Sequence, residues 1–378
     1  MPANRADIAI VGGGILGLAH AYAAARKGRS VVVFERSPRA TGASVRNFGM
    51  IWPIGQAAGT THELSLKSRE IWLDVLERSR LPYRPTGSLH VTYRDDEAEV
   101  AHEFSEIAPH HGYACQWLSP DEVLSKSQAV RAPGLCGGLW SPLELTVDPR
   151  SIVAKLPVFL AEQFNVEFRF NCAVHAIHLP VVEAGAERWE VDRAIVCSGD
   201  DFATLFPALL AQCGLTRCKL QMMRTAPQPD GWQLGPSLAA GLTLRYYPAF
   251  QICTTLTQLK QRVAAEMPDY DRWGIHLLVS QTEPGELTLG DSHEYGPAVE
   301  IFDKPEIDQL ILRYAQTFLH APTLEIAQRW HGVYSKHPDQ PFVSLDAGEG
   351  VRIVTAAGGS GMTLSFGLGA QAVREMEI

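Results

Sequence analysis

The sequence predicts an α/β protein in two parts, a discontinuous domain around a parallel sheet and a second domain with a mixed sheet. Three observations predict it. Asp7-Ile8-Ala9-Ile10-Val11 reads as a short buried strand that runs into Gly12-Gly13-Gly14-Ile15-Leu16-Gly17. An Ala-rich helix follows over 18–27, then a second strand, Ser30-Val31-Val32-Val33-Phe34, which ends on Glu35. Apolar strands recur at 193–197 and 351–356, each running into a Gly-containing turn, as pieces of one interrupted sheet do.

The first block fits G-x-G-x-x-G in its Rossmann-type context. Gly12 permits the tight strand-to-helix turn, Gly14 lets a pyrophosphate approach the backbone, and Gly17 lets helix and strand pack closely. The helix start, with Ile15 and Leu16, offers unpaired N–H groups and the positive end of a dipole to phosphate. Glu35 lies 18 residues past Gly17, near the offset at which a carboxylate grips ribose hydroxyls. A dinucleotide is the expected ligand, and this block alone suits NAD as well as FAD.

Further along, 36–56 is rich in Gly, Ser and Asn and reads as a long functional loop. Helical periodicity resumes at Glu63 and continues through Leu76, and 87–93 alternates like a strand. Helices are expected over 95–110 and 119–126, the second opened by a Ser119 cap and Pro120. Asp148-Pro149 caps a helix to about 163, and strands follow at 166–170, 173–179 and 193–197. The stretch 221–300 reads as mixed and strand-rich, and an amphipathic helix capped by Asp303 runs to Leu319. These elements predict a discontinuous Rossmann-type cofactor domain over 1–85, 146–220 and 326–378, which the resemblance described below makes an FAD-binding domain, with a mixed-sheet substrate domain over 86–145 and 221–325.

Composition excludes several classes. The 378 residues are 46% hydrophobic and 20% charged with a formal net charge of −9, which argues against a nucleic-acid partner. No apolar run reaches the length of a membrane span. The first strand begins within a few residues of the start, leaving no room for a signal peptide, and a cytoplasmic location is expected. Seven cysteines without a C-x-x-C pair suggest reduced thiols. His110-His111 and the His175/His178 pair lack ligand spacing with acids, and no metal is expected.

The chain resembles the D-amino-acid-oxidase-like superfamily of FAD-dependent amine oxidoreductases, which includes glycine and sarcosine oxidases. The resemblance spans nearly the full length. It rests on Ile10 to Glu35, on Gly42-Ala43-Ser44-Val45-Arg46-Asn47-Phe48-Gly49-Met50-Ile51, on Ala194 to Gly199, on Arg329-Trp330-His331-Gly332-Val333-Tyr334 and on Gly358 to Gly361. It implies FAD at Gly12, Gly14, Ile15, Leu16, Gly17, Glu35 and Arg36. Ser44 and its neighbours would meet the diphosphate and ribityl chain, and Asn47, Phe48, Gly49 and Met50 would run beneath the ring. Val174 would hold adenine through its backbone, with Ser198 and Gly199 nearby. Gly359, Gly361, Met362 and Thr363 would meet the pyrimidine edge, where helix-start donors stabilise charge on the reduced ring.

Two departures inform the substrate. Many relatives carry Gly-x-Arg-Pro where this chain has Gly332-Val333-Tyr334-Ser335, and that arginine grips a substrate carboxylate as a fork. Tyr334 cannot. No cysteine follows Cys253 and the 41–51 loop holds no histidine, so FAD is expected to bind non-covalently. The 44–56 loop, with 197–202 and 289–294, looks closest to a subgroup associated with phosphonate breakdown. It implies oxidative deamination of a small primary or N-methylated amine by hydride transfer to flavin N5. The implied substrate is 2-aminoethylphosphonate or its N-methyl form, giving phosphonoacetaldehyde. Alternatives are an oxidase of glycine- or sarcosine-like amino acids and a flavin-binding protein without turnover. Molecular oxygen or another acceptor would take the electrons.

Candidates for the substrate anion are Arg46, His62, Arg245, Tyr246, Tyr334 and Lys336. Four have a bland reading: a salt bridge for Arg46, strand packing for Arg245 and Tyr246, a solvated helix start for His62. Tyr334 and Lys336 rest on the position of the missing arginine. Trp52 and Trp330 suit a pocket wall or the core equally.

Overall fold

The computed structural model describes residues 4–378. β1 (Asn4–Val11) pairs in parallel with β2 (Val31–Glu35) on one side and with Glu187–Val196 on the other. Glu167–Phe170 extends the parallel sheet beyond β2, and Val351–Thr355 extends it beyond Glu187–Val196. The central strands bury both faces, Ile8 and Ile10 toward one cluster and Ala9 and Val11 toward the other, which is why they read as continuous apolar runs. α1 (Ile15–Ala25) follows β1 and lies along the C-terminal helix Gly361–Glu375. Gly369 makes that approach possible: a Cβ there would stand 2.7 Å from the Ala19 carbonyl oxygen.

The second sheet has nine strands. Thr216–Pro227 pairs antiparallel with both Ile326–Lys336 and Glu286–Gly290, and the sheet continues through Leu278–Gln281, Ser237–Ala240, Ser88–Thr92 and Gly137–Ser141. Asp95–Ile107, Leu256–Glu266 and Pro305–Phe318 contribute buried apolar faces to its cluster, among them Phe104, Leu259 and Ile311. A two-stranded pairing of Met50–Ile51 with Leu145–Thr146 ties the long loop to the junction.

Three expectations need correction. Ile326–Lys336 was expected in the nucleotide-binding part, yet it hydrogen-bonds along Thr216–Pro227 in the second sheet, which moves the 220 and 326 boundaries. The strand leaves Ala327, Gln328 and Arg329 exposed and buries Gly332, Tyr334 and Ser335, whereas the central strands of the first sheet are buried on both faces. The 303–319 helix starts at Pro305, and Asp303 does not cap it. Asp303 is engaged instead by Lys219 Nζ at 2.9 Å and His331 Nδ1 at 2.8 Å. The 221–300 stretch also holds the helices Leu256–Glu266 and Pro268–Arg272, whose buried Leu256, Leu259 and Val263 carry helical spacing. Among the described residues, no helix is long and apolar enough to cross a membrane.

Candidate functional site

One cavity of about 970 Å³ runs between the two sheets, from the β1–α1 turn to the second sheet. Its first end is built largely from backbone. Gly12 adopts φ +105°, and a Cβ there would press to 2.3 Å of the Cys197 carbonyl oxygen. A Cβ on Gly17 would come within 1.8 Å of the Gly12 carbonyl oxygen. Only glycine therefore permits both the turn and the close packing of α1 on β1. α1 has no acid in its first turn, so its positive end stays uncompensated. Ser44 Oγ accepts the Ile15 N–H at 2.9 Å and stands over that helix start.

Glu35 closes the turn from the side. Its carboxylate accepts the Gly13 N–H at 2.9 Å and the Ser37 N–H at 3.0 Å. A carboxylate has about four lone-pair sites, so two remain for ribose hydroxyls. Arg36 pairs with Asp201 at 2.8 Å across the mouth of this end. Val174, Ser198 and Gly199 line the same end, Ser198 Oγ donating to the Asp201 carbonyl at 3.2 Å. Midway, Asn47 Oδ1 accepts the Gly49 N–H at 2.7 Å while its amide donates to Ala43 and Ser44 carbonyls. The loop is thus held so that Ser44, Arg46, Asn47 and Phe48 line the cavity.

Farther in, Gly359, Gly361 and Met362 present the start of the C-terminal helix, which also lacks an acid in its first turn. Two uncompensated helix starts, a glycine cradle and a free-sided carboxylate in one elongated cavity fit a flavin dinucleotide. A second helix start on the same cavity suits FAD more than NAD, because it would meet the negative charge that develops on a reduced flavin ring.

Four expected cofactor residues act from behind the wall. Gly17 packs against Gly12 as above. Gly49 has φ +71° and faces the Val147 carbonyl, Met50 pairs with Thr146, and Thr363 Oγ1 accepts the Trp52 N–H at 2.9 Å. They shape the cavity and do not line it.

The other end of the cavity is made of side chains. Tyr246, Tyr247, Tyr334 and Lys336 line it, as do His276, Asp291 and His293. Tyr246 stacks on His276 at 4.0 Å and on His293 at 4.3 Å between ring centroids. Its hydroxyl lies 3.3 Å from that of Tyr295, which receives a bond from Lys336 Nζ at 3.4 Å. Tyr334 points its hydroxyl toward Gly359. Burial pushes the phenols of Tyr246 and Tyr334 well above their ordinary range, so both remain neutral donors.

Two anion candidates are corrected. Arg245 does not reach the cavity: its guanidinium pairs with Asp271 at 3.0 Å and donates to the Tyr270 and Ile275 carbonyls, fastening a loop. His62 is buried and stacked on Tyr113 at 3.9 Å, with its ring nitrogens 3.2 and 3.3 Å from the Pro53 and Gly112 carbonyl oxygens, to one of which the neutral ring donates. Burial lowers its pKa, so it carries no charge to offer an anion. Arg46 does line the cavity, though it also donates to the Thr41 and His331 carbonyls. Trp52 and Trp330 are packing residues outside the lining.

The sequence reading missed His276, Asp291 and His293, which meet only because Leu278–Gln281 and Glu286–Gly290 form a hairpin. The available signal was Asp291-Ser292-His293 directly after a strand end, two side chains thrown to one face at i, i+2.

A family profile described as "DAO: FAD dependent oxidoreductase" matches residues 7–375. The glycine oxidase of Geobacillus kaustophilus (strain HTA426) is 26% identical over 161 residues, covering 40% of this chain and 43% of that protein. The match thus spans less than half the length of that relative. The crystal structure of glycine oxidase from Geobacillus kaustophilus superposes with TM-score 0.77 at 18% identity, over 99% of this chain and 95% of that one. The L-alpha-glycerophosphate oxidase of Mycoplasma pneumoniae with FAD bound superposes with TM-score 0.76 at 17% identity, over 99% and 95%. These structures share the fold.

Proposed function

The chain belongs to the FAD-dependent oxidoreductase family, and we propose that it oxidises a small primary or N-methylated amine carrying a phosphonate group. 2-Aminoethylphosphonate and its N-methyl form are the leading candidates, with phosphonoacetaldehyde as product. One observation carries the anion assignment: Lys336 lines the side-chain end of the cavity, and its Nζ donates at 3.4 Å to Tyr295, an exposed phenol outside the lining whose hydroxyl lies 3.3 Å from that of Tyr246. No carboxylate pairs with Lys336 among the described residues' salt bridges. An ammonium flanked by neutral hydroxyls suits three oxygens around phosphorus, whereas a planar carboxylate is best met by an arginine fork. Tyr334 stands where many relatives have that arginine.

Gly12, Gly14, Ile15 and Leu16 would hold the FAD diphosphate with Ser44, Glu35 would hold ribose, and Val174 the adenine. Asn47 and Phe48 would lie along the ring, with Gly359, Gly361 and Met362 at its pyrimidine edge. FAD supplies the acceptor for the hydride that leaves the carbon beside the amine nitrogen. The protein's part is placement: Lys336 and its tyrosines hold the anionic end, which fixes how far the reacting carbon extends toward the Gly359–Met362 helix start. Phe48 and Leu220 keep the middle of the cavity apolar.

The supporting experiment is anaerobic mixing of FAD-loaded protein with 2-aminoethylphosphonate, its N-methyl derivative, glycine and sarcosine. Loss of the visible flavin band with the phosphonates alone supports the proposal. Loss with glycine or sarcosine instead favours the amino-acid-oxidase alternative.

A further inference from the structure

The donor chain at Lys336 accounts for one end of a bifunctional substrate and leaves the histidine–aspartate cluster without a role. One ligating atom from each of His276, Asp291 and His293 lies within 4.8 Å of the other two. All three residues are buried.

The backbone fixes this arrangement. His276 and Asp291 exchange backbone N–H bonds of 3.3 and 3.0 Å just beyond the hairpin ladder, one residue out of its register. The His293 N–H donates to the Trp273 carbonyl at 2.8 Å. His293 Nδ1 donates to the Gly274 carbonyl at 2.9 Å, which sets the tautomer and leaves the Nε2 lone pair free. Tyr246 lies across both imidazoles and holds their planes.

The three groups converge without bonding to one another. Asp291 oxygens lie 3.3 Å from His276 Nε2 and 3.8 Å from His293 Nε2. Yet Asp291 Oδ1 and His276 Nδ1 have no aligned hydrogen-bond partner. A buried carboxylate facing imidazoles and lacking a donor is costly to keep unless something brings N–H groups or positive charge to it.

We propose that His276, Asp291 and His293 form the receptor for the substrate's amino group and accept its N–H hydrogens. This rests on the amine reading above and extends it by assigning the second end of the substrate. An ammonium about 2.8 Å from each of three acceptors lets them stand up to about 4.6 Å apart. A tetrahedral zinc bound at about 2.0–2.1 Å draws its ligand atoms to about 3.4 Å. Asp291 Oδ1 and His276 Nε2 stand at 3.3 Å, near that value, but Asp291 Oδ2 and His293 Nε2 stand at 3.8 Å, wider than a shared zinc would draw them. Tyr246 joins the two ends, since its ring lies on the histidines and its hydroxyl reaches Tyr295 beside Lys336.

The receptor also gives the amine's proton a destination. Transfer breaks one N–H bond, leaves its electron pair on nitrogen, and forms an O–H bond on Asp291. Burial raises the proton affinity of Asp291 well above that of an ordinary carboxylate and keeps both histidines neutral. The groups facing the cluster are the phenols of Tyr246, Tyr247, Tyr295 and Tyr334 together with the Cys218 thiol. Arg245, Lys336 and His90 are the remaining titratable neighbours.

The test uses FAD-loaded protein and the flavin spectrum as a binding readout, with n-propylammonium and n-propyltrimethylammonium as probes. The expected results are at least tenfold weaker binding of the trimethyl compound to wild type, and at least tenfold weaker binding of n-propylammonium to D291N at unchanged FAD content. If D291N loses FAD, the pair of probes on wild type decides. Equal affinities for the two probes, no binding of n-propylammonium to wild type, or an unaffected FAD-loaded D291N would each overturn the proposal. So would one equivalent of Zn²⁺ retained by wild type after EDTA dialysis and lost in D291N, which would make the cluster a metal site. Because the readout needs no turnover, failure of every amine to reduce the flavin sinks the amine-oxidation reading separately.

Discussion

The two ends of the cavity are made of different material. At the dinucleotide end, recognition comes from backbone: a glycine turn, two helix starts and one carboxylate. At the other end the proposed recognition would come from side chains that line the cavity, Tyr246, Tyr334, Lys336 and the His276–Asp291–His293 cluster. Backbone recognition depends on which residues are absent, because a Cβ at Gly12 or Gly17 would strike a carbonyl oxygen. Side-chain recognition depends on which residues meet, and that is a property of the hairpin register.

The contrast yields graded predictions. The largest effect belongs to Gly17→Val, which drives a side chain into the Gly12 carbonyl. FAD occupancy after purification should fall to near zero, with the melting temperature lowered by overpacking worth roughly 1–3 kcal/mol. Full occupancy would mean that the turn is not the phosphate cradle. Next, Glu35→Ala should weaken FAD binding at least tenfold, about 1.4 kcal/mol, read by titrating apoprotein, while substrate affinity in the loaded fraction stays unchanged. A shift in both would show that the two ends are not separable.

At the other end, Lys336→Met should raise the apparent KM for 2-aminoethylphosphonate tenfold or more, with FAD content and the KM for a neutral amine unchanged. Arg245→Ala gives the control. It lies outside the cavity, so it should lower the melting temperature while leaving KM within about twofold, as expected of a change that spares the lining. An increase in KM larger than that of Lys336→Met would return the anion site to Arg245.

A smaller effect concerns acid. His90 and His293 in the second sheet's region are buried and held neutral, each pKa pushed down to about 3 from 6.5. The unfolded chain takes up protons at these groups below pH 6.5 and the folded chain does not, so their stabilising contribution is full above 6.5 and is lost as pH falls toward 3. Buried Asp291 has the opposite sign, since its raised pKa favours the folded state at low pH. The clean measurement is therefore a difference: His90→Leu should flatten the fall in melting temperature between pH 6.5 and 4.5 relative to wild type. An unchanged slope would mean that His90 is protonated in the fold.

The same contrast explains what the sequence disclosed. β1, the glycine turn, α1 and β2 are contiguous, and their periodicity and spacing carry their own geometry, so the dinucleotide end was legible. Glu35 and Ser44 both line the cavity beside that turn. Ile326–Lys336 was misplaced because a strand's sheet is chosen by its long-range partner, Thr216–Pro227. Arg245 and His62 looked available because a side chain's engagement by backbone carbonyls leaves no local mark in the sequence. The His276–Asp291–His293 cluster was only half legible: Asp291 and His293 lie two residues apart after a strand end, but nothing near His276 announces a partner beyond the next strand.

The most direct measurement compares reductive half-reactions of the FAD-loaded protein with 2-aminoethylphosphonate and with n-propylamine, which matches it in length but carries no anion. The account predicts that the phosphonate reduces the flavin with an apparent Kd at least tenfold below that of n-propylamine. Equal constants, or reduction by n-propylamine alone, would contradict it.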